Sequence, residues 1–348
     1  MYLPEHLRNS NQPKYAKIRL DYQNVIPDLP IPPQELYRQA CSNDNITIDS
    51  WKEKWIANTK ANKAFLGSFK DKSIAKLYKS QEYKPCIIAG SGPSLAENVH
   101  ILKDRGGIPL VSCLHNFHLM EDNDARPDYY VSLDAGDVVL EEISEGGKRT
   151  PDEYWELTKD RKLIAFIGSP PELLKRWKGE VYVFNAPVPN PDYQAKIDEI
   201  EKFHCWMSTG GNVLGAALYF ARGTLGCGTI AFVGADFCFS YDNKFHAWDS
   251  KYDKNLGMVV KLVDVYGNKR LSWQSYVNFN GWFEQLSVDT PQIFINCSEG
   301  GCLGAFPQGN VASIRQMKLS RFLFMHRMHE ELNDQMVRPE EAPPVILF

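Results

Sequence analysis

Pro85-Cys86-Ile87-Ile88-Ala89-Gly90-Ser91-Gly92-Pro93-Ser94-Leu95 is the stretch that decides the fold. Its apolar run, Cys86 to Ala89, shows no alternation and ends on two glycines, which is how a strand buried on both faces passes into a helix in a parallel sheet. The glycines let backbone N–H groups approach an anion. Pro93 suits a first helical position, where no intrahelical partner awaits its missing N–H. An ordinary strand-to-helix turn is the simpler alternative. The turn is not a dinucleotide fingerprint, because Leu95 stands where the last small residue belongs and no clear carboxylate ends the second strand. It is not a P-loop either, since the lysine of that motif is missing.

Outward from this turn, short β-branched runs alternate with helix-period segments, the pattern of βα units. Strands are expected at Ile108-Cys113, Tyr129-Leu133, Leu163-Ile167, Val181-Phe184, Thr229-Val233 and Gln292-Ile295, with helices at Leu95-Asp104, Pro171-Lys178, Asp192-Phe203 and Val213-Leu225. A hairpin over Val259-Val265 and Lys269-Trp273 interrupts the alternation before a helix near Tyr276-Gln285. The expected class is α/β, a Rossmann-like and largely parallel sheet with helices on both faces. It divides into a partly helical N-terminal extension (1–83), a Rossmann-like nucleotide-binding domain (84–305) and a C-terminal helix with a tail (306–348). In the extension Pro27, Pro30, Pro32 and Pro33 break regular structure, and the lysines of Trp51 to Ser80 read as a solvated helix face. Asn310 to Met336 is helical in character, with Val311, Ile314, Met317, Phe322, Phe324, Met325 and Met328 on one face. The tail begins near Arg338-Pro339-Glu340.

Lys and Arg total 39 against 43 Asp and Glu, a formal net charge of −4 over 348 residues, so there is no basic signature for nucleic acid or an anionic membrane. No apolar run of about eighteen residues offers a membrane span, and the first residues lack the features of a secretory signal, so a cytoplasmic protein is expected. Eight cysteines are scattered without a C-x-x-C and read as reduced core residues; a Cys297/Cys302 metal site lacks a second ligand pair nearby.

Ligands of an open parallel sheet bind beyond the carboxyl ends of the strands. That rule selects Gly90, Ser91, Gly92 and Ser94 after the first strand, His115 and Asn116 after the second, Asp134 after the third, Asp236 after the Thr229 strand, and Asn296 to Gly301 after the last. Ser208, Thr209, Gly210, Gly211 and Asn212 precede a small, apolar helix start and offer hydroxyls and free backbone donors at a second helix N-terminus, or simply its N-cap. Asp134 and Asp236 have the chemistry to hold a hydrated divalent cation, orient a ribose or act as base; either also suits a cap or turn. His246 titrates near neutral pH and suits general acid–base work, although a lone loop histidine is commonly packed or solvated, and the same holds for His115. Asn296 to Gly301 suits a ligand contact or a tight turn, and the aromatic segment Trp273 to Trp282 reads as core.

Gly90 to Leu95, Pro127-Asp128-Tyr129-Tyr130-Val131-Ser132-Leu133-Asp134, Thr209 to Asn212, Gly234-Ala235-Asp236-Phe237, His246-Ala247 and Asn296 to Gly301 occur in an order that resembles the 6-hydroxymethylpterin diphosphokinase MptE-like family. That family also embraces the central domain of Maf flagellin glycosyltransferases and is distantly similar to bacterial sialyltransferases. The resemblance covers residues 84 to about 305. It implies a Rossmann-like fold and transfer chemistry on a nucleotide or nucleotide-activated donor, held by the first glycine turn and the Thr209 loop. Ser91 stands where the sialyltransferase pattern has an asparagine, and no histidine lies between Asp249 and Gly304. Three readings follow. The first is a glycosyltransferase-like enzyme with a nucleotide-sugar donor and His246 and Asp236 as catalytic residues. The second is an ATP-dependent diphosphokinase requiring Mg²⁺ as cofactor on Asp134 and Asp236. The third is a non-catalytic nucleotide-binding module.

Overall fold

The computed structural model describes residues 33–250, 259–305 and 314–336, with the side chains of 33–45 and 329–336 outside that description. The proline-rich lead-in before Pro33 and the tail from Arg338 lie outside the described residues.

Eight strands form one sheet in which every pair is parallel. They are β1 (Pro85–Ala89), β2 (Leu110–Cys113), β3 (Tyr129–Ser132), β4 (Lys162–Phe166), β5 (Glu180–Phe184), β6 (Thr229–Val233), β9 (Ile293–Asn296) and β10 (Ile314–Gln316). The intervening β7 (Val259–Val263) and β8 (Lys269–Trp273) make a separate antiparallel hairpin. Cys86 to Ala89, Leu163 to Ala165 and Ile230 to Val233 have no accessible surface, so these runs are apolar throughout because both faces are covered. All seven strands expected from the sequence are present within one or two residues, as is the hairpin.

The strand order is β10-β9-β6-β1-β2-β3-β4-β5. From β1 the chain steps one way to β5 and then returns to place β6 on the other side of β1, so right-handed crossovers carry the connecting helices to opposite faces. The order reverses between β1 and β6, where Ala89 pairs with Val233. The crevice at the carboxyl ends of these two strands is where an open α/β sheet takes its ligand.

Among the described residues ten α-helices accompany the strands: α1 (Pro33–Leu66), α2 (Leu95–Asn98), α3 (Phe117–Asp122), α4 (Val139–Glu142), α5 (Pro151–Leu157), α6 (Pro171–Arg176), α7 (Pro191–Ile200), α8 (Val213–Tyr219), α9 (Gln274–Asp289) and α10 (Leu319–Met336). α8 lies against β1, β2 and β3. Its small residues Gly215, Ala216 and Ala217 are buried, which lets the helix approach the sheet closely.

The N-terminal helix is built into the same core. α1 packs on α6, α7 and α9, and Trp55 sets its ring edge-on to Phe166 at 5.8 Å and Tyr193 at 5.9 Å. One and two turns further along the same helix, Asn58 donates to the carbonyls of Ala135 and Gly168, and Asn62 to those of Ile167 and Ser169. These four carbonyls follow β3 and β4. α1 therefore ties down the loops at the carboxyl edge, and each buried carbonyl it satisfies avoids a desolvation penalty of about 1–3 kcal/mol.

The C-terminal segment departs from expectation. Ile314 to Gln316 is not helical but pairs with Phe294 to Asn296 as the edge strand β10, and α10 begins only at Leu319. Phe324, Met325 and Met328 are exposed; the expected apolar face mixed strand and helix residues that share a period by coincidence. Six of the described cysteines are buried and unpaired and Cys205 is half-buried, while the side chain of Cys41 lies outside the described residues. Among the described residues no helix is long and apolar enough to cross a membrane.

Candidate functional site

At the reversal point three turns interlock. Gly92 N–H donates to the Gly234 carbonyl at 2.8 Å and Gly90 N–H to Val233 at 2.9 Å. A Cβ on Gly90 would stand 2.5 Å from the Gly234 oxygen, and one on Gly92 would stand 2.7 Å from that oxygen and from Asp236 Oδ2. The glycines thus serve close approach between two backbones, and the donors expected to cradle a phosphate are largely committed. Ser91 is the exception: its N–H and hydroxyl have no partner among the described residues, while its carbonyl accepts from Ala247 N–H at 3.1 Å.

Asp236 is only 4% exposed. Ser94 N–H donates to its Oδ2 at 2.7 Å and the Ser94 hydroxyl to its Oδ1 at 2.5 Å, so this carboxylate fills the anion position at the start of α2. Burial pushes its carboxyl up to about 6 against the pull of the two Ser94 bonds and of Arg270. Beside it Phe237 adopts a left-handed backbone (φ 51°) and packs on Phe283, an unfavourable conformation for an aromatic residue that the interlocked turns enforce. The third turn buttresses the second: Cys302 N–H donates to the Asp236 carbonyl, Ser298 Oγ accepts from Ala235 N–H, and Asn296 bonds Ser298 N–H and the Leu303 carbonyl. Asn296 to Gly301 is a tight, inward-bonded turn.

Asn116 is fully buried and donates to the carbonyls of Ala89 and Gly90 and to Ser112 Oγ, so it braces the glycine turn from β2. His246 reaches this edge through its own loop, whose Ala247 bonds Ser91. Its ring stacks on Trp248 at 5.4 Å and meets His115 edge-on at 4.9 Å, and His118 meets Trp248 at 4.7 Å. Burial, then the neighbouring His246 and His118, hold His115 well below the usual histidine range, so it is neutral at pH 7. Arg270 on β8, which no sequence pattern singled out, donates through Nε to the buried Asp264 at 2.9 Å and brings the nearest guanidinium charge felt by Asp236.

On the β3–β5 side the edge opens into a cleft of about 390 Å³. Its walls are Thr47, Ile48, Trp51 and Trp55 of α1, Leu133, Asp134 and Ala135 after β3, Phe166, the Ala186 to Pro189 segment after β5, Thr209, Gly211, Asn212 and Val213 at the start of α8, and Phe279 of α9. Asp134 lines this space, is exposed to solvent, and forms no hydrogen bond or ion pair with the described residues. Asn212 caps α8, its Oδ1 accepting from Gly215 N–H at 2.8 Å, and Thr209 Oγ1 accepts from Gly211 N–H at 3.3 Å. Gly210 and Gly211 turn with φ of 58° and 78°; a Cβ on Gly210 would stand 2.5 Å from the Trp282 ring, so only glycine fits there.

The structure therefore gathers the expected residues into two neighbouring groups. Gly90, Ser91, Gly92, Ser94, Asn116, Asp236 and His246 surround the reversal point; Asp134, Thr209, Gly211 and Asn212 line the cleft, with Gly210 behind them and Ser208 just outside. α8 joins the two, because Val213 lines the cleft while Leu214 Cδ1 lies 3.4 Å from the Cβ position of Gly90. Sequence reading missed the α1 wall, although Ile48, Trp51, Trp55, Asn58 and Asn62 recur at helical spacing and mark one face. No group of three or more His, Cys, Asp or Glu side chains among the described residues is placed to hold a metal ion. Since both Asp236 oxygens are engaged by Ser94, the residues present do not form a protein-built Mg²⁺ site on Asp134 and Asp236.

The model of the 6-hydroxymethylpterin diphosphokinase MptE-like family matches residues 54–242, so the matched region starts within α1 and takes in both groups of site residues except His246. Among solved structures, the Maf glycosyltransferase from Magnetospirillum magneticum AMB-1 is similar at 16% identity with a TM-score of 0.49, over 68% of this chain and 34% of that one. The chain thus spans about a third of that protein's length. No curated protein matches. With more than half of its 348 residues matched by the family model, the chain belongs to the 6-hydroxymethylpterin diphosphokinase MptE-like family.

Proposed function

We propose that this chain is a glycosyltransferase-like enzyme that moves a sugar from a nucleotide-activated donor bound at the carboxyl edge of the sheet. The observation that carries the reading is the pairing of two sites on one edge. Group transfer needs two substrates held in contact, and α8 begins between a turn with open donors at Ser91 and a cleft large enough for a small organic ligand. In this reading the donor phosphate meets the Ser91 N–H and hydroxyl, with Arg270 supplying charge behind the Asp236 turn. His246 accepts the acceptor's hydroxyl proton as the new glycosidic bond forms. The bond from the sugar to phosphate breaks and the nucleotide leaves intact. Asp236 acts as a positioning residue that holds Ser94 and the start of α2 in register.

The runner-up, diphosphoryl transfer from ATP to a hydroxymethyl oxygen with release of AMP, is favoured by the family's description and requires Mg²⁺ brought largely by the nucleotide phosphates. Product analysis separates the two. The protein is incubated with a panel of nucleotide-sugars, or with ATP and 6-hydroxymethyl-dihydropterin, with and without Mg²⁺, and the nucleotides are followed by chromatography beside a Ser91→Pro variant. Turnover or slow hydrolysis of one nucleotide-sugar, reduced in the variant, is expected. Pterin-dependent AMP would replace this reading with the diphosphokinase, and nucleotide binding without turnover over long incubation would leave a non-catalytic module.

A further inference from the structure

The charge of the cleft is unlike that of a phosphate site. Among its described lining residues Asp134 alone is ionisable, and they include no lysine, arginine or histidine. The nearby Lys54 is committed to Asp137. The polar side chains at the start of α8 are partly engaged, Asn212 capping the helix through Oδ1 and bonding the Gly210 carbonyl through Nδ2, and Thr209 Oγ1 accepting from Gly211 N–H. What the cleft offers a ligand is one carboxylate without a partner among the described residues, facing walls that include the rings of Trp51, Trp55, Phe166 and Phe279.

We infer that this cleft binds an organic cation, its ammonium or related N–H⁺ head on Asp134 and its apolar or aromatic body against the tryptophan and phenylalanine walls. Asp134 is exposed at the cleft and has no countercharge among the described residues, so its charge is open to a cation that seats its body against the apolar walls. The ring faces attract the same charge through their quadrupoles, so both features select one sign. A phosphate or carboxylate would meet the repulsion of Asp134 with no cationic side chain among the described lining residues to offset it, only backbone N–H groups at the start of α8, which makes the cleft prefer cations over anions. The inference adds an acceptor class to the transferase reading, yet it concerns binding alone and stands whichever donor the enzyme uses.

Three probes of nearly one shape test it: benzylammonium, benzyl alcohol and benzoate, titrated into the full-length protein by calorimetry at low ionic strength with no nucleotide present. Benzylammonium is expected to bind about tenfold or more tighter than benzyl alcohol, and benzoate weakest of the three. Asp134→Asn should bring benzylammonium to the level of the alcohol and leave the alcohol unchanged. Trp51→Leu should weaken the cation several-fold, and Trp51 is 38% exposed, so the fold tolerates that change. The three-probe series in the unaltered protein decides the question without any variant. Equal affinity for the three, tighter binding of benzoate, absence of binding by benzylammonium, or an Asp134→Asn protein that keeps the preference would each overturn the inference. Lack of turnover with nucleotide-sugars would count against the proposed function and leave this result untouched.

Discussion

Replacing Asp236 by asparagine isolates the group on which the three turns converge. In the folded protein its carboxyl rises from an ordinary 3.8 to about 6, burial being the largest cause. At ~1.36 kcal/mol per pH unit this displacement corresponds to about 3 kcal/mol. The sign follows from proton counting. Between pH 3.8 and about 6 the folded state keeps a proton that the unfolded chain has already released, so stability falls as pH rises through that window and is level above it. Asparagine cannot ionise, and its amide still serves Ser94, its oxygen accepting from the Ser94 N–H and its NH₂ group donating to the Ser94 hydroxyl oxygen. The cost of the exchange is one reoriented hydroxyl, on the order of 1 kcal/mol. Urea unfolding at pH 4.5, 5.5 and 7.5 should therefore show the variant gaining on the parent by about 2 kcal/mol from the lowest to the highest pH. Because both oxygens are occupied by Ser94, any Mg²⁺-dependent increment in nucleotide affinity should be unchanged. Parallel stability profiles would refute the buried, charge-destabilised account of Asp236, and loss of the Mg²⁺ increment would return it to the metal.

Two further substitutions test the architecture around it. Gly92→Ala places a Cβ 2.7 Å from the Gly234 carbonyl oxygen and from Asp236 Oδ2, so it should destabilise the fold by about 1–3 kcal/mol through forced separation of two backbones; an unchanged melting temperature would show that the turns do not interlock. Asn62→Ala strands the buried carbonyls of Ile167 and Ser169 and should cost about 2–4 kcal/mol with a single cooperative transition, whereas a separate early transition for α1 would mean that the helix folds apart from the sheet.

Gly90 to Leu95 looked like a phosphate cradle because glycine permits close approach to any group, and nothing in the local sequence says whether that group is a ligand or another backbone. The partner turned out to be Gly234, and the anion at the start of α2 is Asp236 of the same chain, 142 residues from Ser94. Trp51, Trp55, Asn58 and Asn62 recur at helical spacing, a face the sequence reading passed over, and the carbonyls awaiting Asn58 and Asn62 lie after β3 and β4. Their demand is invisible until those loops are placed.

By itself the sequence determined seven of the eight described sheet strands, their order along the chain, the hairpin, and which loops at the carboxyl ends to search for a site. Each of these rests on interactions between near neighbours: an apolar run long enough for a buried strand, a glycine that ends it, a proline or asparagine that starts the next helix. Only the tertiary structure decided that β6 lies beside β1, that Ile314 to Gln316 extends the sheet instead of α10, and that α1 closes a cleft over Asp134. Those outcomes depend on which distant surfaces can cover one another and satisfy one another's buried polar groups, and that balance exists only once the whole core has closed.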